Sequence, residues 1–181
     1  ELLQDQLIGQ LDTIFAASGN EIVDKGEGYN DNAHAALVGT AHAATIKNCV
    51  NNVDITITSL AAPTASVKGC VGGLVGCASY GSKFHNLVNN GDIVFASTTQ
   101  QNNLYISGIV GKDDTSFSDV PGIAEISNCT NNGNISSTAD SIAKESFAMA
   151  GITGRINPGA EVLCENLVNN GTITHNGSSG A

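Results

Sequence analysis

Acidic residues gather at one point of the chain, within residues 112–122. Carboxylate oxygens are the ligands that Ca²⁺ prefers, although the spacing of these acids matches no known calcium loop. An ordinary solvated loop accounts for the same composition. Because binding residues usually lie on loops that leave a rigid scaffold, any ligand-binding loop is predicted here. Its candidate residues are Lys112, Asp113, Asp114 and Asp119.

The other chemically capable residues form no catalytic or metal-binding pattern. The four histidines have no metal-ligand spacing with a nearby acid, and no Gly-x-Ser-x-Gly elbow or Cys/His pair is recognisable. Glycoside chemistry needs two carboxylates at a set separation, whereas the acids of this chain are scattered. We therefore predict a protein that is not an enzyme and that has no cofactor.

Composition excludes two classes of partner. The chain has 17 acidic against 7 basic residues and a net charge of −10, whereas nucleic acids and anionic membranes select clustered Lys and Arg. No apolar run reaches the roughly 18 residues of a membrane span, so we expect no membrane insertion. Only 4% of the residues are aromatic, which suits a solenoid core of stacked small aliphatic side chains.

One phrase, Asn-x-x-Asn-Asn-x-x-Ile, occurs four times at spacings of 38, 42 and 38 residues. The copies are 48–55, 86–93, 128–135 and 166–173. A second motif precedes each copy, and it reads Leu37-Val-Gly39, Gly73-Leu-Val-Gly76, Gly108-Ile-Val-Gly111 and Gly151-Ile-Thr-Gly154. A fixed period of this size indicates one structural unit stacked on itself.

Each repeat reads as three short strands separated by turns. The first strand carries the glycine motif, the second runs into the Asn phrase, and the third begins after it. Three strands with turns suit one coil of a parallel β-helix, a coil being one full turn of the solenoid. We therefore predict an all-β solenoid, a short three-sided and right-handed parallel β-helix of about four coils.

Equivalent residues of the four repeats form columns. Two apolar columns are predicted to point inward, and they consist of Ile55, Ile93, Ile135 and Ile173, and of Cys49, Leu87, Cys129 and Leu167. The bend in each coil falls at the first Asn of the phrase, because Asn tolerates left-handed backbone. These residues are expected to form an amide ladder, and they are Asn48, Asn86, Asn128 and Asn166.

A second corner follows in the same phrase, where Asn-Gly occurs in three of the four copies. We predict that the glycine supplies a positive φ there. The first copy has Val53 at this position, so its corner is expected to differ.

The five cysteines do not reveal the redox compartment. Cys49 and Cys129 alternate with Leu in their column and lie two coils apart, roughly 10 Å, which is too far for a disulfide. Cys164 shares a column with Ile and Phe and is interpreted as a small hydrophobic residue. Whether Cys70 and Cys77 form a pair stays open, because side chains on opposite faces would prevent it.

The first residues differ from the repeats. Apolar residues at spacings of 3 and 4 predict an amphipathic helix over residues 1–18, which caps the first coil. Residues 19–32 are rich in Gly, Asn and Asp and are predicted to form a loop that leads into the repeats. The β-helix then occupies residues 33–181, at about 38 residues per coil. We expect the last coil to leave an exposed edge that permits self-association.

The repeats resemble the GLUG motif, a glycine-rich repeat of bacterial surface and secreted proteins. The residues that carry the match are Gly73-Leu-Val-Gly76 with Phe84-His-Asn-Leu-Val-Asn-Asn-Gly-Asp-Ile93, and their relatives in the other repeats. The resemblance covers about residues 33–176, although the repeats of this chain are somewhat longer. It implies a β-helical segment in an exported bacterial protein and transfers no catalytic residue.

These observations favour a non-catalytic module at the cell surface or secreted, which serves as a spacer or as an adhesin-like scaffold for a glycan or a host matrix protein. An export signal is expected outside the 181 residues. One alternative is a β-helical enzyme that processes polysaccharides. A second is an ice-binding face, suggested by Thr56, Thr58, Thr138 and Thr174 beside the Ile column.

Overall fold

The structure, a computed structural model, describes residues 32–58, 69–96, 103–114, 122–138, 147–156 and 161–177. All regular secondary structure in these ranges is β-strand. The predicted capping helix (1–18) lies outside the described residues. The same holds for the predicted leading loop, except that residue 32 already belongs to the first strand.

The first two coils each contain five short strands. Coil 1 contains β1 (Asn32–Ala35), β2 (Val38–His42), β3 (Thr45–Lys47), β4 (Val50–Asn51) and β5 (Ile55–Ile57). Coil 2 contains β6 (Gly69–Gly72), β7 (Val75–Ser79), β8 (Ser82–His85), β9 (Val88–Asn89) and β10 (Ile93–Phe95).

The last two coils repeat this order. Coil 3 contains β11 (Leu104–Ser107), β12 (Val110–Asp114), β13 (Ile123–Ser127), β14 (Thr130–Asn131) and β15 (Ile135–Ser137). Coil 4 contains β16 (Phe147–Ala150), β17 (Leu163–Glu165), β18 (Val168–Asn169) and β19 (Ile173–His175). Its second position is an isolated parallel bridge between Val110 and Thr153.

Equivalent strands of successive coils pair in parallel and form five sheets, named A to E in chain order. Sheet A contains β1, β6, β11 and β16, sheet B β2, β7 and β12, sheet C β3, β8, β13 and β17, sheet D β4, β9, β14 and β18, and sheet E β5, β10, β15 and β19. Each step in register corresponds to one sequence repeat, as in the pairing of Ile93 with Ile55 and Ile135. The predicted parallel β-helix is therefore confirmed, whereas its handedness stays a prediction.

The prediction of three strands per coil is wrong, because each coil turns more often than the apolar pattern indicates. The first Asn of the phrase lies in left-handed backbone in every coil, with φ between 51° and 59°. This residue splits the predicted second strand into one strand of sheet C and one of sheet D. A further strand, in sheet A, precedes the glycine motif, which forms the corner between sheets A and B.

The glycine after the Asn pair serves a different purpose from the predicted one. Gly91, Gly133 and Gly171 do not have a positive φ. A Cβ atom at Gly91 would instead lie 2.0 Å from the Val53 carbonyl oxygen, and at Gly133 it would lie 1.9 Å from the Gly91 oxygen. The coils approach so closely here that only glycine fits over the preceding corner. In coil 1 the described residues include no coil beneath this corner, which explains why valine occurs there.

The interior is divided into two apolar clusters. The larger cluster lies among sheets B, C and D and includes Val75, Phe84 and Leu87. The other lies between sheets A and E and includes Ile93, Phe95, Leu104, Ile106 and Ile135. The two predicted apolar columns contribute to these clusters, and their members in coils 2 and 3 are fully buried.

Burial falls sharply in the last coil. Ile93 and Ile135 are 0% exposed, whereas Ile173 in the same column is 41% exposed. Leu167 is only partly buried and Leu163 is 53% exposed. Coil 4 therefore leaves apolar interior accessible at the C-terminal end of the stack.

Candidate functional site

The residues predicted to form a ligand-binding loop do not lie together in a loop. Lys112 and Asp113 belong to β12 and are each 1% exposed. Asp114 ends the same strand, and β12 pairs with β7 over the whole of this stretch. Asp119 lies outside the described residues. Since Lys112 and Asp113 are buried within the solenoid wall, neither side chain is placed to meet a ligand from solvent.

Lys112 belongs to a polar group between sheets A and B. The bridge between Val110 and Thr153 sets the register of this layer, so Arg155 lies next to Lys112 in its column. The Arg155 guanidinium donates a hydrogen bond of 2.9 Å to the Tyr105 hydroxyl, and its Cζ lies 5.7 Å from the ring centroid. Tyr105 is 5% exposed, so this contact fixes a buried phenol rather than presenting a reactive group.

Charged side chains also meet on the outer face of sheet C. Lys83 Nζ lies 3.7 Å from Glu125 Oε2, and His85 Nδ1 lies 3.7 Å from Glu125 Oε1. The same Nδ1 lies 2.8 Å from the Ser127 hydroxyl. A catalytic relay needs both imidazole nitrogens, one for the hydroxyl and one for the carboxylate, and a single nitrogen faces both groups here. Solvent-accessible ion pairs of this kind contribute little stability.

The most regular exposed surface is the outer face of sheet D, termed the Asn–Val face. It has two Asn ladders with an apolar column between them. One ladder consists of Asn48, Asn86, Asn128 and Asn166, and the other of Asn52, Asn90, Asn132 and Asn170. The central column consists of Val50, Val88, Thr130 and Val168.

The ladders on this face are held by amide-to-amide hydrogen bonds. Asn86 Nδ2 donates to Asn48 Oδ1 at 2.9 Å, and Asn90 Nδ2 donates to Asn52 Oδ1 at 2.7 Å. Each bond uses one N–H and one lone pair, so every amide retains one of each for another partner. At the two ends of the central column, Val50 is 52% and Val168 is 44% exposed. The face thus offers donors, acceptors and methyl groups at intervals of about 4.8 Å.

A third Asn ladder lies inside the solenoid, where sequence reasoning placed none. Its members are Asn51, Asn89, Asn131 and Asn169. Asn89 Nδ2 donates to Asn131 Oδ1 and to the Gly91 carbonyl, both at 2.8 Å. Counting alternate residues from Cys49 would have placed Asn51 on the inner face. The ladder ties each corner to the next coil.

The Thr positions that suggested ice binding lie on sheet E. Thr56, Val94, Ser136 and Thr174 share one register position there. Methyl and hydroxyl groups alternate irregularly along this column.

The histidines lie at separate points of the surface. His42 stacks at 4.2 Å on Tyr80, and His175 lies 5.2 Å from Phe147 between ring centroids. Across the described ranges, no three metal-ligating side chains come together.

The cysteines are present as thiols. Cys129 is buried and donates to the Ser127 carbonyl at 3.3 Å. Burial raises the pKa of the Cys129 thiol, and backbone hydrogen bonds to Leu87 and Ser127 oppose this effect. Cys164 is exposed in the open last coil.

Comparison with known proteins leaves the candidate surfaces to be judged on their own chemistry. The described residues include no helix long and apolar enough to cross a membrane. No protein-family model, curated protein or solved structure matches this chain.

Proposed function

We propose that the protein is a non-catalytic β-helical module, exposed on a bacterial surface or secreted, that binds a glycan on its Asn–Val face. The resemblance of its repeats to the GLUG motif supports the exported location. The observation that carries the binding proposal is the pair of exposed Asn ladders on either side of an apolar column. Rigid sheets position these groups, which favours recognition without rearrangement.

The chemistry of the face suits a sugar polymer. A glycan presents hydroxyl groups that donate and accept hydrogen bonds, together with C–H surfaces that pack on apolar side chains. The free N–H and lone pair of each Asn match the first feature, and the Val50–Val168 column matches the second. Because the net charge is −10, the bound polymer is expected to be neutral or cationic rather than acidic.

The proposal is tested by two matched substitutions in coil 2. Val88 lies in the centre of the Asn–Val face, and Val94 lies on the outer face of sheet E with similar partial exposure. Val88→Glu places a charge between the ladders, and we expect binding on an array of neutral glycans to fall at least about tenfold. Val94→Glu should retain binding. Equal losses for both variants, or no binding of the wild type to any glycan, would refute the proposal.

A second candidate is polysaccharide processing on the outer face of sheet C. Its support is the approach of Lys83 and His85 to Glu125, with Glu165 in register with the adjacent Ser127. Two acids and a base on one face are the minimum for this chemistry. It predicts that neutral polysaccharides incubated with the protein gain reducing ends and that Glu125→Gln abolishes the gain. A wild type that releases no reducing ends excludes this candidate.

A further inference from the structure

Sheets A and B pack back to back in an unusually thin layer. A Cβ atom at Gly76 of β7 would lie 2.8 Å from the His34 nitrogen and 3.1 Å from the Ala33 carbonyl carbon. Gly111 of β12 is similarly close to β6, at 2.9 Å from the Val71 nitrogen. The backbones of the two sheets therefore nearly touch, and small side chains fill most of the space between them.

Two cysteines of coil 2 lie in this layer. Cys70 belongs to β6 and Cys77 to β7, and they form one buried cluster with Ala33. Their exposed fractions are 0% and 1%. β7 contacts both β1 and β6, so Cys77 lies beside the strand that carries Cys70. The turn that joins the two strands is tight, because a Cβ atom at Gly72 would overlap the Val75 carbonyl oxygen.

Substitution by a hydrophobic residue does not explain this pair. Cys49, Cys129 and Cys164 share their columns with Leu, Ile or Phe in other coils. The column of Cys70 instead contains Ala33, Tyr105 and Ala148, and that of Cys77 contains Thr40 and Lys112. Coil 2 is thus the one described coil in which both sides of the layer carry sulfur.

We propose that Cys70 and Cys77 form a disulfide when the chain folds in the presence of a disulfide oxidant. The thin layer brings the two side chains of adjacent strands within the short range that this bond needs. The proposal is independent of glycan binding, since it depends only on the layer between sheets A and B.

The reaction is an ordinary thiol–disulfide exchange with glutathione disulfide. One cysteine thiolate attacks a sulfur of the oxidant and expels one glutathione thiolate, which leaves a mixed disulfide. The second cysteine attacks that bond and expels the second glutathione. The two thiol protons pass to the two leaving thiolates, so the protein loses two hydrogen atoms. Because the folded layer is sealed, exchange precedes its closure, and the finished bond resists reductants until the chain unfolds.

The test is a thiol count after refolding the reduced, denatured chain with glutathione disulfide. After removal of the oxidant, alkylation in denaturant should modify three of the five cysteines, since the proposed bond removes two. Peptide mapping should link Cys70 to Cys77. The Cys49→Ser variant should keep this link, whereas Cys77→Ser should lose it and yield all four remaining thiols.

A matching experiment examines access in the folded state. The reduced native protein should be alkylated at Cys164 alone, because the other four thiols are buried. The oxidised native protein should keep its disulfide in dithiothreitol and lose it on addition of urea. Modification of all five cysteines after oxidative refolding, or a link between any other pair, would overturn the proposal.

Discussion

Replacing Asn89 by alanine should destabilise the protein far more than the same change at its neighbour Asn90. Both residues make ladder hydrogen bonds to the coils on either side, but Asn89 is fully buried and Asn90 is exposed. The two variants therefore remove the same side chain from adjacent positions of one coil. Only the access of water to the remaining partners differs.

The magnitude follows from the partners that lose a hydrogen bond. Asn89 accepts a bond of 2.8 Å from Asn51 Nδ2 and donates bonds of 2.8 Å to Gly91 O and Asn131 Oδ1. Three buried groups lose this bond, and at about 1 kcal/mol or more each the total is about 3 kcal/mol. At Asn90 water replaces the lost partners, so the change should stay within about 0.5 kcal/mol.

Equilibrium urea unfolding provides the assay. An unchanged slope with a lower midpoint identifies a loss of stability rather than a change in the unfolded chain. For a chain of this length, 3 kcal/mol corresponds to a fall in Tm of about 6–12 °C. Equal midpoints for the Asn89 and Asn90 variants would refute the argument that buried amide bonds hold the coils in register.

Three further predictions concern the stack. Gly133→Ala should cost about 3 kcal/mol, because its Cβ would lie 1.9 Å from a carbonyl oxygen of the coil below, whereas Val53→Ala should cost less than about 1 kcal/mol by thermal unfolding. Ile93→Asp buries an uncompensated charge and should abolish the cooperative transition in circular dichroism, whereas Val94→Asp on the outer face should preserve it. Because the folded-state pKa of Cys129 is raised, stability should be constant below the unfolded thiol pKa and fall above it until the folded thiol also ionises. Cys129→Ser should remove that fall, of up to about 1.4 kcal/mol per pH unit, in urea midpoints between about pH 7 and 10.

The parallel stacking was predictable because the repeat imposes it at every coil. Column identity survives any error in strand boundaries, so the pairing of Ile55 with Ile93 follows from the spacing alone. The left-handed corner at Asn48 was also predictable, since few other residues adopt that backbone conformation readily. Both inferences depend on local chemistry that does not change with the number of sides.

The number of strands per coil was not predictable from the same pattern. Sheet D strands contain two residues each, too short to show alternation. The division of the interior into two clusters depends on sheets A and B folding against each other. The sequence signal for this arrangement is Gly76 and its equivalents, whose close approach becomes evident only when both strands are in place.

The predicted binding loop shows how composition misleads when an element continues unexpectedly. Lys112 and Asp113 were assigned to a loop because charged residues usually lie on the surface. Backbone pairing with Cys77 and Ala78 nevertheless extends β12 through both residues and buries them. Conversely, the approach of His85 to Ser127 joins residues 42 positions apart, which only the exact register of coils 2 and 3 brings together.

The ends of the stack differ in a way that limits self-association. Adding a second copy head to tail would place its Val53 over the Gly171 carbonyl of the first. Glycine already leaves only 1.9–2.0 Å for a Cβ atom at the equivalent contacts between coils, so the valine methyl groups have no space there. Coil 1 is also closed, since Asn51 is 6% exposed, whereas Asn169 at the other end is exposed. The predicted association through coil 4 must therefore use an arrangement other than continuation of the helix, and a closed assembly is favoured over a filament.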